Sequence, residues 1–115
     1  MEQGPYRAAI FGATFLGIGA ALCLEPSVIL ESGERLGAEF AGNHKVCLPK
    51  ILRPRSTPGK RFAQALLEQG LVDEVGQVHP APMVPALERL LQGSGASLFL
   101  GARVLRVERT ANAYR

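Results

Sequence analysis

A single α/β domain built on a βαβ unit with a small parallel sheet is the fold class this sequence predicts, and three observations predict it. Two short apolar runs, residues 7–11 and 27–31, flank a stretch rich in alanine and leucine, with Gly12 at the first junction and Pro26 at the second. The runs are nearly continuous in apolar residues rather than alternating, as strands of a parallel sheet covered on both faces are. The chain has 115 residues, which holds one domain and no second, since domains run to roughly 100 to 150 residues.

Residues 7–11 form a buried strand ending at Gly12. Residues 15–24 are apolar nearly all round, so they form a helix expected to be buried rather than amphipathic. Pro26 ends it, because proline cannot continue a helix. Residues 27–31 form the second strand, whose last residue is the carboxylate Glu31. The crossover between the strands is expected to be right-handed. From Ser32 to Lys60 no periodicity survives and Pro49, Pro54 and Pro58 interrupt the chain, which predicts a long loop region. Its cations Lys45, Lys50, Arg53, Arg55, Lys60 and Arg61 outnumber Glu34 and Glu39.

Residues 59–70 form a short helix with Phe62, Ala63, Leu66 and Leu67 on one face and Gly70 as its stop. Residues 72–79 are expected to be extended. Residues 83–92 form an amphipathic helix through Val84, Leu87, Leu90 and Leu91, closed by Gly93-Ser94-Gly95. Residues 96–100 form a strand. Val104, Leu105 and Val107 then carry a further strand toward Glu108, whose open edge needs a partner or cover, and Thr110-Ala111-Asn112 begins a turn. The domain thus divides into a βαβ unit at 7–39, a loop-rich basic segment at 40–60 and a helix–strand–strand segment at 83–109.

Composition narrows the function classes. Hydrophobic residues are 47% and charged residues 20%, the balance of a folded chain rather than a disordered one. A net charge of +3 is too small and dispersed for a nucleic-acid binder, and only Phe62 offers stacking beside the basic segment. That segment is a solvated loop that could also steer an anionic ligand. Cys23 and Cys47 are too few for a disulfide framework and have no metal-ligand spacing, so no metal, a reducing compartment and a cytoplasmic location are expected. Cys23 is expected in the core, Cys47 as an inert thiol, and His44 and His79 as loop histidines. The apolar run from Ala8 to Leu24 is shorter than the ~20 residues of a spanning helix. As a secretory signal it lacks a net positive start, since Glu2 offsets Arg7, and Leu22 stands where a small residue belongs. No membrane partner is expected.

The chemistry lies in Gly12-Ala13-Thr14-Phe15-Leu16-Gly17-Ile18-Gly19-Ala20, between a strand and a helix. A dinucleotide site needs one glycine for the tight turn, a second position where backbone approaches the pyrophosphate, and a third glycine for contact between helix and strand. Gly12 and Gly17 fill the first and third, and Thr14 stands at the second. Its side chain either crowds a phosphate or donates to it. Amides at the helix start, from Thr14 through Phe15 and Leu16, add partial positive charge for an anion without a lysine. Glu31 follows Gly12 at close to the spacing of about 20 residues expected for the acid that bonds ribose hydroxyls. The bland alternative is a packed βα turn with Glu31 solvated at a strand end.

The segment Glu31-Ser32-Gly33-Glu34-Arg35-Leu36-Gly37-Ala38-Glu39 resembles the one that follows the second strand in FAD-dependent oxidoreductases of the glutathione-reductase-like fold, with its ribose-binding Glu, Arg and Gly-Gly pair. The resemblance implies a Rossmann-like dinucleotide-binding domain that binds FAD. Gly12, Thr14, Phe15, Leu16 and Gly17 then fall on the pyrophosphate loop and Glu31 and Ser32 beside the adenosine ribose. Arg35, Gly37 and Ala38 fall on the neighbouring loop, and backbone near Val104 against adenine. Residues 83–108 are similar to the family's helix–glycine–strand–strand segment. Thr14 and Ala38 depart from the family pattern, each replacing a glycine, and the helix before Glu31 is about one turn short.

The resemblance implies the ADP-binding portion of a flavoprotein, incomplete at the C-terminus, with the flavin-side and substrate regions missing or supplied by a second chain or another copy. No residue is assigned as catalytic, so the chain alone is not expected to be a complete enzyme. A non-catalytic nucleotide-binding or interaction module is the alternative, and an NAD-binding domain a weaker one.

Overall fold

The computed structural model describes residues 5–37, 54–73, 75 and 82–115. The elements run β1 (Ala8–Phe11), α1 (Phe15–Cys23), β2 (Ser27–Leu30), α2 (Thr57–Glu68), α3 (Met83–Gln92) and β3 (Ala96–Phe99). The strands form a three-stranded sheet in the order β1-β2-β3, parallel throughout, with Ile10, Ile29 and Leu98 in one register row and Phe11, Leu30 and Phe99 in the next. The fold is therefore the expected α/β, Rossmann-like βαβ arrangement with a third parallel strand beyond β2.

Each element starts and stops for a local reason. Thr14 caps α1, its Oγ1 accepting the Gly17 N–H at 3.0 Å. Ser56 caps α2 in the same way, accepting the Gly59 N–H at 3.1 Å. Pro58 lies in the first turn of that helix, where a missing N–H costs nothing. The helix accordingly begins ahead of the expected residue 59. At its far end the Leu71 N–H donates to the Leu66 carbonyl and Gly70 turns the chain.

Alternate strand residues point to opposite faces, and the helices gather on the face that carries Ile10, Ile29 and Leu98. There α1 packs on β1, β2 and both other helices, and α3 packs on β3. Ile18, Ala21, Ile29, Leu36, Leu66, Leu71, Met83, Ala86, Leu87 and Leu91 form the core of this layer. Full burial of one such large side chain contributes about 1.5 to 3 kcal/mol. On the opposite face Phe11 and Phe99 flank Leu30 and are 58% and 45% exposed, while Val28 on the same face of β2 is buried, so among the described residues that face is open at its C-terminal edge.

Five expectations need correction. The strand expected to be buried at 7–11 holds no buried residue, with Ala9 and Phe11 exposed, because β1 is an edge strand paired on one side only among the described residues. The helix α1 is buried on one side only, through Gly17, Ile18 and Ala21, while Leu16 is 83% exposed; an element apolar all round carries no signal of which face turns inward. Cys23, in its last turn, is exposed rather than core. Leu67 is exposed, leaving Leu66 as the buried residue of α2. Residues 104–108 form no strand. After β3 the chain turns at Gly101 and bonds to the loop after β2, and then pairs with itself across Arg109 and Tyr114. The Thr110 hydroxyl accepts the Ala113 N–H at 3.1 Å there, so the expected turn does form. The extended segment expected at 72–79, and Ala38, His44, Cys47 and His79, lie mostly or wholly outside the described residues. Among the described residues no helix is long and apolar enough to cross a membrane.

Candidate functional site

Because all three strands run parallel and in register, Gly12, Glu31 and Leu100 leave the sheet at one level along its C-terminal edge. Ligands of open α/β sheets bind at that edge, where loops diverge and helix N-termini point. Here the loops are joined by backbone hydrogen bonds. The Gly12 N–H donates to the Leu30 carbonyl at 2.9 Å, and the Glu31 N–H to the Phe99 carbonyl at 2.9 Å. The Gly37 N–H reaches back to the Ala13 carbonyl at 2.7 Å, so the segment from Glu31 to Gly37 closes on the turn after β1. The Gly101 N–H donates to the Gly33 carbonyl and the Ala102 N–H to the Glu31 carbonyl, both at 2.9 Å.

The turn after β1 has the steric signature of close approach. Gly12 adopts φ +102, and a Cβ on Gly17 would overlap the Gly12 carbonyl oxygen and crowd Ile10 and Thr14. Gly12 and Gly17 are the residues expected as the first and third glycines of a dinucleotide turn, and backbone conformation at one and sterics at the other disfavour a side chain there. Thr14 occupies the second position, and its hydroxyl oxygen is engaged inside the turn as the cap of α1. The threonine is thus accommodated by local bonding that a glycine could not supply. The aligned peptides of α1 place partial positive charge at this end.

The remaining candidates divide by what their side chains touch. Phe15 turns inward and packs its ring against that of Phe62 of α2, tilted by 47° with centroids 5.3 Å apart, so only its backbone belongs to the turn. Leu16 projects outward. Glu31 is half-buried, and its carboxylate has no hydrogen bond or ion pair among the described residues. Ser32 and Arg35 are exposed, whereas Leu36 is buried in the core and Gly37 beside it. Val104, 41% exposed, follows the bonded residues Gly101 and Ala102 along the same chain. Sequence reasoning missed the pairing of Gly101 with Gly33, since no periodicity links residues so far apart; the one local signal was a glycine directly after a strand.

Among the described residues no group of three or more His, Cys, Asp or Glu side chains could hold a metal ion. The arrangement presents a helix N-terminus and backbone amides to an anion, and a hydrogen-bond-accepting carboxylate one strand away. A diphosphate joined to a ribose has that alternation of chemistry. No protein-family model matches the chain, and no curated protein matches it.

Proposed function

We propose that this chain binds the ADP half of FAD and is the FAD-binding portion of a flavin-dependent oxidoreductase. The observation that carries the reading is the joined edge itself: a glycine turn with no room for a side chain at Gly17 opens α1, and the Glu31 carboxylate, without a partner among the described residues, stands at the end of the next strand. The residues present fit the group. The Gly12–Gly17 turn and the N-terminus of α1 accept the diphosphate, Glu31 accepts hydrogen bonds from the ribose hydroxyls, and a carboxylate there disfavours a 2′-phosphate. By resemblance, Arg35 and Gly37 border the dinucleotide and backbone near Val104 meets adenine.

When bound, FAD supplies the redox chemistry, while the protein binds and orients it. This chain's own residues hold the adenosine end of the cofactor. The test is equilibrium binding of FAD and ADP to the purified protein, followed by flavin absorbance and by calorimetry. Saturable FAD binding that ADP displaces supports the reading; a protein that binds neither overturns it. ADP binding without FAD binding favours a non-catalytic nucleotide module.

A further inference from the structure

We infer that Gly101 is a positioning residue for the Glu31 carboxylate, an inference that rests on the nucleotide-binding reading above. Glu31 is gripped through its backbone on both sides: its N–H donates to the Phe99 carbonyl and its carbonyl accepts the Ala102 N–H, each at 2.9 Å. The two partners sit on either side of Leu100 and Gly101, so the turn between them decides whether both bonds form together. Gly101 adopts φ +65 there, in the left-handed region that L side chains resist. Its own N–H donates to the Gly33 carbonyl, which fixes the loop just beyond Glu31 as well. Three bonds from one four-residue turn therefore set the backbone from Glu31 to Gly33, and the carboxylate follows that backbone.

A Cβ built at Gly101 meets nothing within 4 Å. Substitution there acts through backbone conformation and not through a clash, which separates the role from packing. The ligand group concerned is a pair of vicinal ribose hydroxyls, because the positioned atom is a hydrogen-bond acceptor with no partner among the described residues.

The experiment compares wild type, Gly101→Val, Gly101→Ala and Gly101→Asn, each alone and with Glu31→Ala, by calorimetric titration with ADP and with 2′,3′-dideoxy-ADP. Thermal melts verify folding, and Gly101→Ala carries the test where the valine variant does not fold. The expected result is a loss of ADP affinity of roughly fivefold for Gly101→Val, the affinity equivalent of the strain a side chain carries at that φ. Gly101→Asn restores binding, since asparagine tolerates the left-handed region. The dideoxy analogue binds all Gly101 variants alike, and in the Glu31→Ala background Gly101→Val has no further effect. Unchanged ADP affinity in Gly101→Val, or an equal loss for both nucleotides, overturns the inference while leaving nucleotide binding intact. A wild-type protein that binds no ADP overturns the nucleotide reading and this inference with it.

Discussion

The Ser27 hydroxyl donates a 2.9 Å hydrogen bond to the carbonyl oxygen of Ala21, joining the start of β2 to the last turns of α1. Ser27 is fully buried, and its position puts a polar group under a helix that has just ended. The Ala21 carbonyl also accepts the Leu24 N–H at 3.2 Å. Ser27→Ala therefore removes a donor without orphaning the acceptor, and the expected cost is about 1 kcal/mol. Chemical denaturation measures it; a loss of several kcal/mol would show that the hydroxyl carries more than this bond.

Gly17→Ala is expected to cost more, although alanine favours helices. The added methyl would overlap the Gly12 carbonyl oxygen, which is backbone and can move only by opening the turn. Strain of this kind costs roughly 1 to 3 kcal/mol. Gly93→Ala, whose Cβ would meet its nearest neighbours at 3.7 Å and beyond, serves as the comparison in the same denaturant series. Equal stability of the two variants would remove the steric case for the dinucleotide turn.

The central elements were legible because punctuation and composition agree there. Gly12, Pro26 and Gly93 to Gly95 bracket β1, α1, β2, α3 and β3, and the boundaries follow. What failed was orientation and partnership. Cys23 sits in a helix whose apolar residues surround it, so periodicity could not tell its exposed turn from the face at Ile18 and Ala21. Val104, Leu105 and Val107 have strand-forming character, but a strand exists only where another edge accepts it, and Gly101 sends the following amide to Glu31 instead. Leu105, 86% exposed, therefore predicts that Leu105→Ser changes stability by no more than about 0.5 kcal/mol. A larger loss on denaturation would reveal packing that the unpaired segment lacks. At the site, the order of Gly12, Gly17 and Glu31 was readable from spacing alone, whereas the grip of Phe99 and Ala102 on Glu31 depends on tertiary contact.

Thr14 separates two roles that a glycine would merge. Its Oγ1 caps α1 through the Gly17 N–H, so Thr14→Ala is expected to cost about 1 kcal/mol of stability and Thr14→Ser to retain it, while Thr14→Gly loses only a few tenths. If the outward side of the turn receives a diphosphate through backbone amides, all three variants keep ADP binding within about a factor of three, since those amides remain. Thermal melts and ADP titration of the same preparations read the two effects separately. A collapse of affinity in Thr14→Ser would show that the threonine methyl, and not the cap, shapes the ligand site.

Glu31→Ala tests the carboxylate directly. Among the described residues Glu31 has no partner for its side chain, and its backbone is fixed by Phe99 and Ala102 whatever side chain it carries. The substitution should therefore leave the fold intact and act on the ligand alone. Hydrogen bonds to a charged acceptor contribute roughly 1.5 to 3 kcal/mol, so ADP affinity should fall by about ten- to a hundredfold. Glu31→Gln keeps an acceptor and loses the charge, and its affinity should lie between the two. With 2′,3′-dideoxy-ADP the three proteins should bind alike, because that analogue lacks the hydroxyls proposed to donate to Glu31. Calorimetric titration at one ionic strength gives every value, and identical ADP affinity in Glu31→Ala and wild type would place the carboxylate in solvent, outside any ribose contact.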